Sequence, residues 1–291
     1  MKFSVSVLAL LLTASAVQAA DLVIEEPVVI DEVASSGVRG VIELGALAQY
    51  ADQTSDPFDG WAGGGYISAA IWGGDDGFVW GIDGYFDANS FSSTDFAPNY
   101  VGVVGAHLGV SGDAGMFGVF GSVGAMPEGP DDEPQFGYAV GVEGMVDLSG
   151  IGLFGQIGYA DARVEPADSG FTGFFGRVGA LFTLSDDIAL MIDGGYGYST
   201  EFTSSDEDGS YATAGIKAAF ALPTDFDAFV TVGYEGAFYD AIGDDDTGVS
   251  HTAKLGISIP FGDGNSAASA LNPLATTVAP YRAGSWADTL D

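Results

Sequence analysis

The chain has 291 residues, 47% of them hydrophobic, and its 7 Lys and Arg against 41 Asp and Glu give a formal net charge of −34. So acidic a surface repels phosphate backbones and excludes nucleic-acid partners. The absence of cysteine excludes disulfides, thiolate metal sites and a lipid-modified cysteine anchor.

Met1-Lys2 open the sequence, an apolar run follows from Phe3 to Leu12, and small residues lead to Val17-Gln18-Ala19. A charged start, a short hydrophobic core and a small-x-small end form an export signal. The run is too short to cross a bilayer as a helix. Cleavage after Ala19 is expected, followed by an acidic, strandless lead over 20–37. Beyond the signal no stretch has the length and apolarity of a membrane helix. A chain that is apolar on average can still meet lipid as a closed barrel.

From Val38 onward, apolar residues alternate with small or polar ones over about ten positions, and a turn cluster follows each run. About twelve such segments are predicted, near 38–50, 61–72, 78–88, 100–111, 116–126, 136–148, 151–161, 172–184, 188–199, 211–222, 226–239 and 249–261. In the third, Phe78, Trp80, Ile82 and Phe86 share one side, opposite Val79, Asp83, Tyr85 and Asp87. In the sixth, Phe136, Tyr138, Val140, Val142, Val146 and Leu148 oppose Glu143 and Asp147. The ninth sets Ile188, Leu190, Ile192, Tyr196 and Tyr198 against Asp193. The last sets Leu255, Ile257, Ile259 and Phe261 against Thr252, Lys254 and Ser258. Period two with one apolar face is strand geometry. The second and fifth segments are ambiguous, since Trp61, Tyr66 and Trp72 do not share a face. Tyr50, Phe136, Tyr159, Tyr198, Tyr234 and Phe238 fall near segment ends, where interfacial aromatics belong. The connections are expected to alternate strictly between long (such as DQTSDPFDG and PEGPDDEPQ) and short (such as GDAG and SDD). Bacterial outer-membrane barrels have short periplasmic turns and longer external loops.

The export signal, the paired hairpins and the closing strand KLGISIPF ending at Phe261 resemble Gram-negative outer-membrane porins and related barrels. The resemblance implies an all-β, transmembrane antiparallel barrel of about twelve strands over 38–261, with both ends of the barrel in the periplasm. The terminal aromatic of such barrels usually ends the chain, whereas here 262–291 follow. Their composition reads as a flexible periplasmic tail, with Tyr281 and Trp286 near its end.

Charges do not readily face lipid, so mid-strand ionisable residues are expected to point inward. Parity places Glu43, Asp83, His107, Glu143, Arg177, Asp193, Lys217, Glu235 and Lys254 in one belt, with Arg39 inward nearer the periplasm. From the eighth strand round to the first, Arg177, Asp193, Lys217, Glu235, Lys254 and Glu43 alternate in sign. They could form a ladder of salt bridges in a crowded lumen or a charged constriction that filters solutes. On the opposite wall Asp83, Glu143 and His107 have no basic partner, which favours cations.

Catalytic and metal sites are not expected. His251 falls on the lipid-facing parity, and the spacing of His107 and Ser111 does not match the His-x-Ser of outer-membrane phospholipases. Asp131-Asp132-Glu133, Asp206-Glu207-Asp208 and Asp244-Asp245-Asp246 lack the spacing of a calcium loop and suit solvated external loops better. Gly63-Gly64-Gly65 lacks the lysine and the following helix of a nucleotide motif. The pattern therefore fits a porin-like channel for passive diffusion of small hydrophilic solutes or ions, weakly cation-selective and needing no cofactor. The alternatives are a non-conducting structural or adhesive barrel and, further off, a membrane-embedded enzyme. Expected partners are outer-membrane lipid, lipopolysaccharide and the solutes themselves, and homo-oligomers fit the pattern too.

Overall fold

The structure, a computed structural model, describes residues 37–54, 59–75, 77–91, 99–127, 134–164, 169–202, 208–224, 226–242 and 247–290. The expected export signal, nearly all of the expected lead, and the acidic clusters Asp131-Asp132-Glu133, Asp206-Glu207 and Asp244-Asp245-Asp246 lie outside these residues.

Twelve strands run in chain order: β1 (Arg39–Gln53), β2 (Asp59–Asp75), β3 (Phe78–Phe91), β4 (Asn99–Gly112), β5 (Gly115–Pro127), β6 (Pro134–Asp147), β7 (Ile151–Val164), β8 (Ser169–Ser185), β9 (Ile188–Ser199), β10 (Asp208–Ala221), β11 (Phe229–Ile242) and β12 (Thr247–Gly262). A helix, α1 (Ala279–Leu290), follows. Each strand pairs antiparallel with the next, and β12 pairs with β1 from Gly262↔Arg39 to Gly248↔Gln53, which closes the barrel. A closed ladder has no edge, so the strand backbones pair within the barrel wall, as a lipid environment demands.

Each predicted segment falls on one strand, and most strands run a few residues further at the long-loop end. The tight turns have local causes. Ser149 and Gly150 both take positive φ (57° and 92°), the geometry of a type I′ hairpin turn. The Leu148 amide donates to the Ile151 carbonyl across it at 2.9 Å. The strict alternation of connection lengths does not survive: 222–228, between β10 and β11, spans as many residues as 92–98, between β3 and β4. There β11 begins at Phe229 rather than 226, because Leu222 and Ala228 pair across the connection and leave Phe226 exposed.

The two faces separate as parity requires. Leu44, Ile82, Val140, Ile192 and Leu255 are exposed on the outer wall, while Glu43, Asp83, Glu143 and Thr252 are buried inside. The ambiguous strands resolve in the same way. Trp61 points out, Tyr66 and Trp72 point in, and β5 turns Phe120 and Met126 inward against an outward Phe117, Val119 and Val123.

Such large apolar side chains face inward because the lumen is filled. Of residues 262–291, expected as a flexible periplasmic tail, the described residues 263–290 turn back into the barrel instead. Gly262, at φ +80°, leaves β12 in a conformation that favours glycine, and a Cβ there would lie 2.0 Å from the Val38 carbonyl oxygen. Ala267, Ala270, Leu271, Leu274, Tyr281 and Ala283 are all nearly or completely buried. The helix start is written locally: the Thr277 hydroxyl accepts from the Ala279 amide (3.3 Å), and Pro280 sits in the first turn, where no donor is required.

Candidate functional site: a charged belt closed over the C-terminal segment

The lumen has three layers. At the short-turn end, Val41, Trp72, Leu181, Met191 and Phe229 form an apolar collar around Ala267–Leu274. At the long-loop end, Met126, Phe171, Tyr211 and Tyr239 form a second collar around Tyr281 and Ala283. Between them lies the charged belt. Burying each large apolar side chain stabilises docking by about 1.5–3 kcal/mol. Ordering the segment's backbone opposes this by roughly 1–2 kcal/mol per residue. The stability of the docked segment is thus a small difference between large terms.

Glu43, Asp83, His107 and Glu143 are buried on the inner side, and the belt lines a segment and not an open bore. His107 lies between two carboxylates, with Nδ1 2.8 Å from Glu143 Oε1 and Nε2 3.3 Å from Asp83 Oδ1. An imidazolium, donating from both nitrogens, satisfies both acids. Asp83 also accepts from the Thr276 amide (2.5 Å) and the Thr276 hydroxyl (2.8 Å). Gln156 Nε2 donates to Glu143 Oε2 (3.0 Å) and to the Leu274 carbonyl (3.3 Å). The wall expected to carry acids without a basic partner is therefore a closed polar cluster that grips residues 274–276. Gly105 makes the close approach possible, since a Cβ there would meet the Thr276 hydroxyl at 1.9 Å.

The sign-alternating ladder forms only in part. Arg177 pairs with Asp193 on the neighbouring strand at 2.8 Å, as expected. Its guanidinium also donates to the carbonyls of Pro273 (3.4 Å) and Ala275 (3.2 Å) and lies 5.1 Å over the Phe154 ring. Lys217 passes over β11 and β12 to reach Glu43 on β1 at 2.5 Å. Glu43 is fixed there by Tyr66 (2.7 Å) and Thr231 (2.6 Å). Glu235 is taken by Arg282 of α1 at 2.6 Å, and Lys254 lies over the rings of Tyr85 (5.0 Å) and Tyr66 (5.8 Å). Arg39 is half-buried at the short-turn end. At Glu235 the ladder departs from expectation because Arg282, on the segment, takes that acid, and its guanidinium forks on to Asp87.

Beside the segment a cavity of ~180 Å³ remains, bordered by Lys217, Glu235, Lys254 and Tyr66 and by the segment at Ala275–Ala279. Among the described residues no group of three His, Asp or Glu is placed to hold a metal. Sequence reasoning missed Asp87, Gln156, Thr276 and Arg282. The signal for the first two was their inward parity; for the last two nothing in the strand pattern could serve, because they lie outside it. On the outer face His251, at the lipid-facing parity as expected, meets the Tyr234 hydroxyl at 2.6 Å.

No protein-family model and no curated protein sequence matches the chain. Solved structures do resemble it. An outer-membrane channel from Pseudomonas putida F1 aligns with a TM-score of 0.51 at 9% identity, covering 78% of this chain and 96% of that one. The translocator domain of the autotransporter NalP from Neisseria meningitidis aligns with a TM-score of 0.47 at 16% identity, covering 79% and 90%. At 9% identity the likeness to the Pseudomonas channel shows the fold alone. A closed twelve-strand antiparallel barrel with an apolar outer wall and a charged interior is a Gram-negative outer-membrane β-barrel. Its place is the bacterial outer membrane.

Proposed function

We propose that the protein is an outer-membrane channel for small hydrophilic solutes or ions, held closed at rest by its own C-terminal segment. One observation carries this: Asp83, Asp87, Gln156, Arg177 and Glu235, projecting from four different strands, all bond to residues 273–282. A lumen built only to be filled could be apolar throughout. This one places a hydrogen-bonding belt at mid-depth, where water and ions would replace the segment if it left. The outer wall takes lipid, and lipopolysaccharide at the long-loop end.

Departure of the segment also sets selectivity. Arg282 leaves with it, so Asp87 and Glu235 lose their cation, and Asp83 loses two donors. The emptied wall is net acidic, and fixed charge in a narrow, poorly screened passage favours counter-ions. In the barrel lacking 265–291, the reversal potential under a salt gradient should therefore report weak cation preference. Asp83→Asn with Glu143→Gln should move that potential toward zero, and Lys217→Glu with Lys254→Glu should move it further from zero. An anion-selective parent, or variants without effect on the potential, would refute the assignment.

The two apolar collars favour a second reading, a barrel permanently filled and purely structural. It predicts no conductance from the whole chain at any voltage the bilayer tolerates, whereas a gated channel shows openings.

A further inference from the structure

The segment's contacts run in order of depth from one rim of the barrel to the other. The Ala267 amide donates to the Asp186 carbonyl in the β8–β9 turn (2.8 Å). Ala270 accepts from Ser258 (3.3 Å), and Asn272 accepts from the Trp72 indole (3.2 Å), both still in the short-turn third. Thr276 lies at the middle, against Asp83 and His107. The Tyr281 hydroxyl then meets Ser122 at 2.9 Å, and Arg282 meets Asp87 near the far end of β3. Trp286 stacks on Tyr239 at the far end of β11, with ring centroids 4.9 Å apart and planes at 16°.

The far wall is shaped for this helix. A Cβ on Gly124 would lie 2.6 Å from the Tyr281 ring, and one on Gly248, second residue of β12, 2.6 Å from the Trp286 ring. The chain thus leaves β12 at its last residue and returns, through the lumen, to the level of its first. With every neighbouring strand pair hydrogen-bonded, the lumen is the route from rim to rim.

We infer that the barrel carries its own C-terminal segment across the outer membrane, so that residue 290 and whatever follows it stand on the cell exterior while residue 263 remains in the periplasm. The side is set by connection length: β12 ends at the rim of the tight turns 113–114, 148–150 and 186–187, and such turns are periplasmic in bacterial barrels. The protein then has a display function, which does not depend on whether the lumen ever conducts.

The sequence contains no cysteine, so single cysteines report position without background. Three variants serve: Asn265→Cys at the near rim, Asp245→Cys in the 243–246 connection, and a cysteine appended after Asp291. Each is treated with a membrane-impermeant maleimide on intact cells and again after the outer membrane is permeabilised. The appended cysteine and Asp245→Cys should label on intact cells, and Asn265→Cys only after permeabilisation. An appended cysteine that labels only after permeabilisation overturns the inference, as does one that never labels. Asn265→Cys labelled on intact cells with the appended cysteine silent overturns it too, since the barrel would then be inverted.

Discussion

Removing residues 265–291 should convert a barrel that opens only briefly into one that conducts steadily in a planar bilayer. The wall does not need the segment for its backbone pairing, because all twelve strand pairs close without it. What goes is the content of the lumen: the buried side chains from Ala267 to Ala283 and every bond they make to the belt. The vacated space is continuous from one collar to the other, and its middle is lined by groups that hydrate well. Trp72, Phe120, Phe154 and Phe175 would then face water, so the shortened barrel should also unfold at lower temperature. Heat-modifiable migration in detergent shows that it has folded. Adding back a peptide of residues 265–291 should restore closure. A folded shortened barrel that stays silent would show that the segment does not close the lumen.

Arg282→Ala should loosen the segment without removing it. The guanidinium joins Asp87 on β3 to Glu235 on β11, with a further bond to the Tyr85 hydroxyl at 3.3 Å. Taking it away leaves Asp87, 4% exposed, as an uncompensated charge in the docked state alone, because water solvates it once the segment leaves. Breaking a buried pair in this way typically costs about 3–5 kcal/mol. At about 1.4 kcal/mol per tenfold, the fraction of time open should rise by roughly 10²- to 4 × 10³-fold. Arg282→Lys should fall between, since an ammonium restores the charge but not the two-way fork. Single-channel open probability is the measurement. If Arg282→Ala gates like the parent, the pair does not hold the segment.

The barrel was legible in the sequence because lipid imposes a strict rule. Period two, with one side apolar, placed most of the twelve strands, the second and fifth staying ambiguous in face, and parity alone put Glu43, Asp83, His107 and Glu143 on the inner side, where they are buried. The partners of those residues were not legible. Parity fixes the face of a side chain but not its reach: Lys217 bypasses two strands because Glu43 is already anchored by Tyr66 and Thr231. The segment was missed because its small residues read as turn and linker composition. Ala267, Ala268 and Ala270 are small because the lumen around them is narrow. A cue did exist in the strands. Tyr66, Trp72, Phe120, Met126 and Phe175 put bulky apolar groups on the inner face, which a water-filled bore would not favour.

Thiol accessibility at Thr276 tests the central claim most directly. Thr276 is 7% exposed at mid-lumen, where its amide and hydroxyl both donate to Asp83. Thr276→Cys removes the γ-methyl, puts a thiol in place of the hydroxyl and introduces the sole cysteine of the chain. With the segment docked, that thiol should resist an impermeant maleimide on intact cells and after outer-membrane permeabilisation alike, and react when the barrel is boiled in detergent. Rapid labelling as soon as the outer membrane is permeabilised, at the rate of an unfolded control, would place residues 263–290 free in the periplasm and contradict the closed-barrel account.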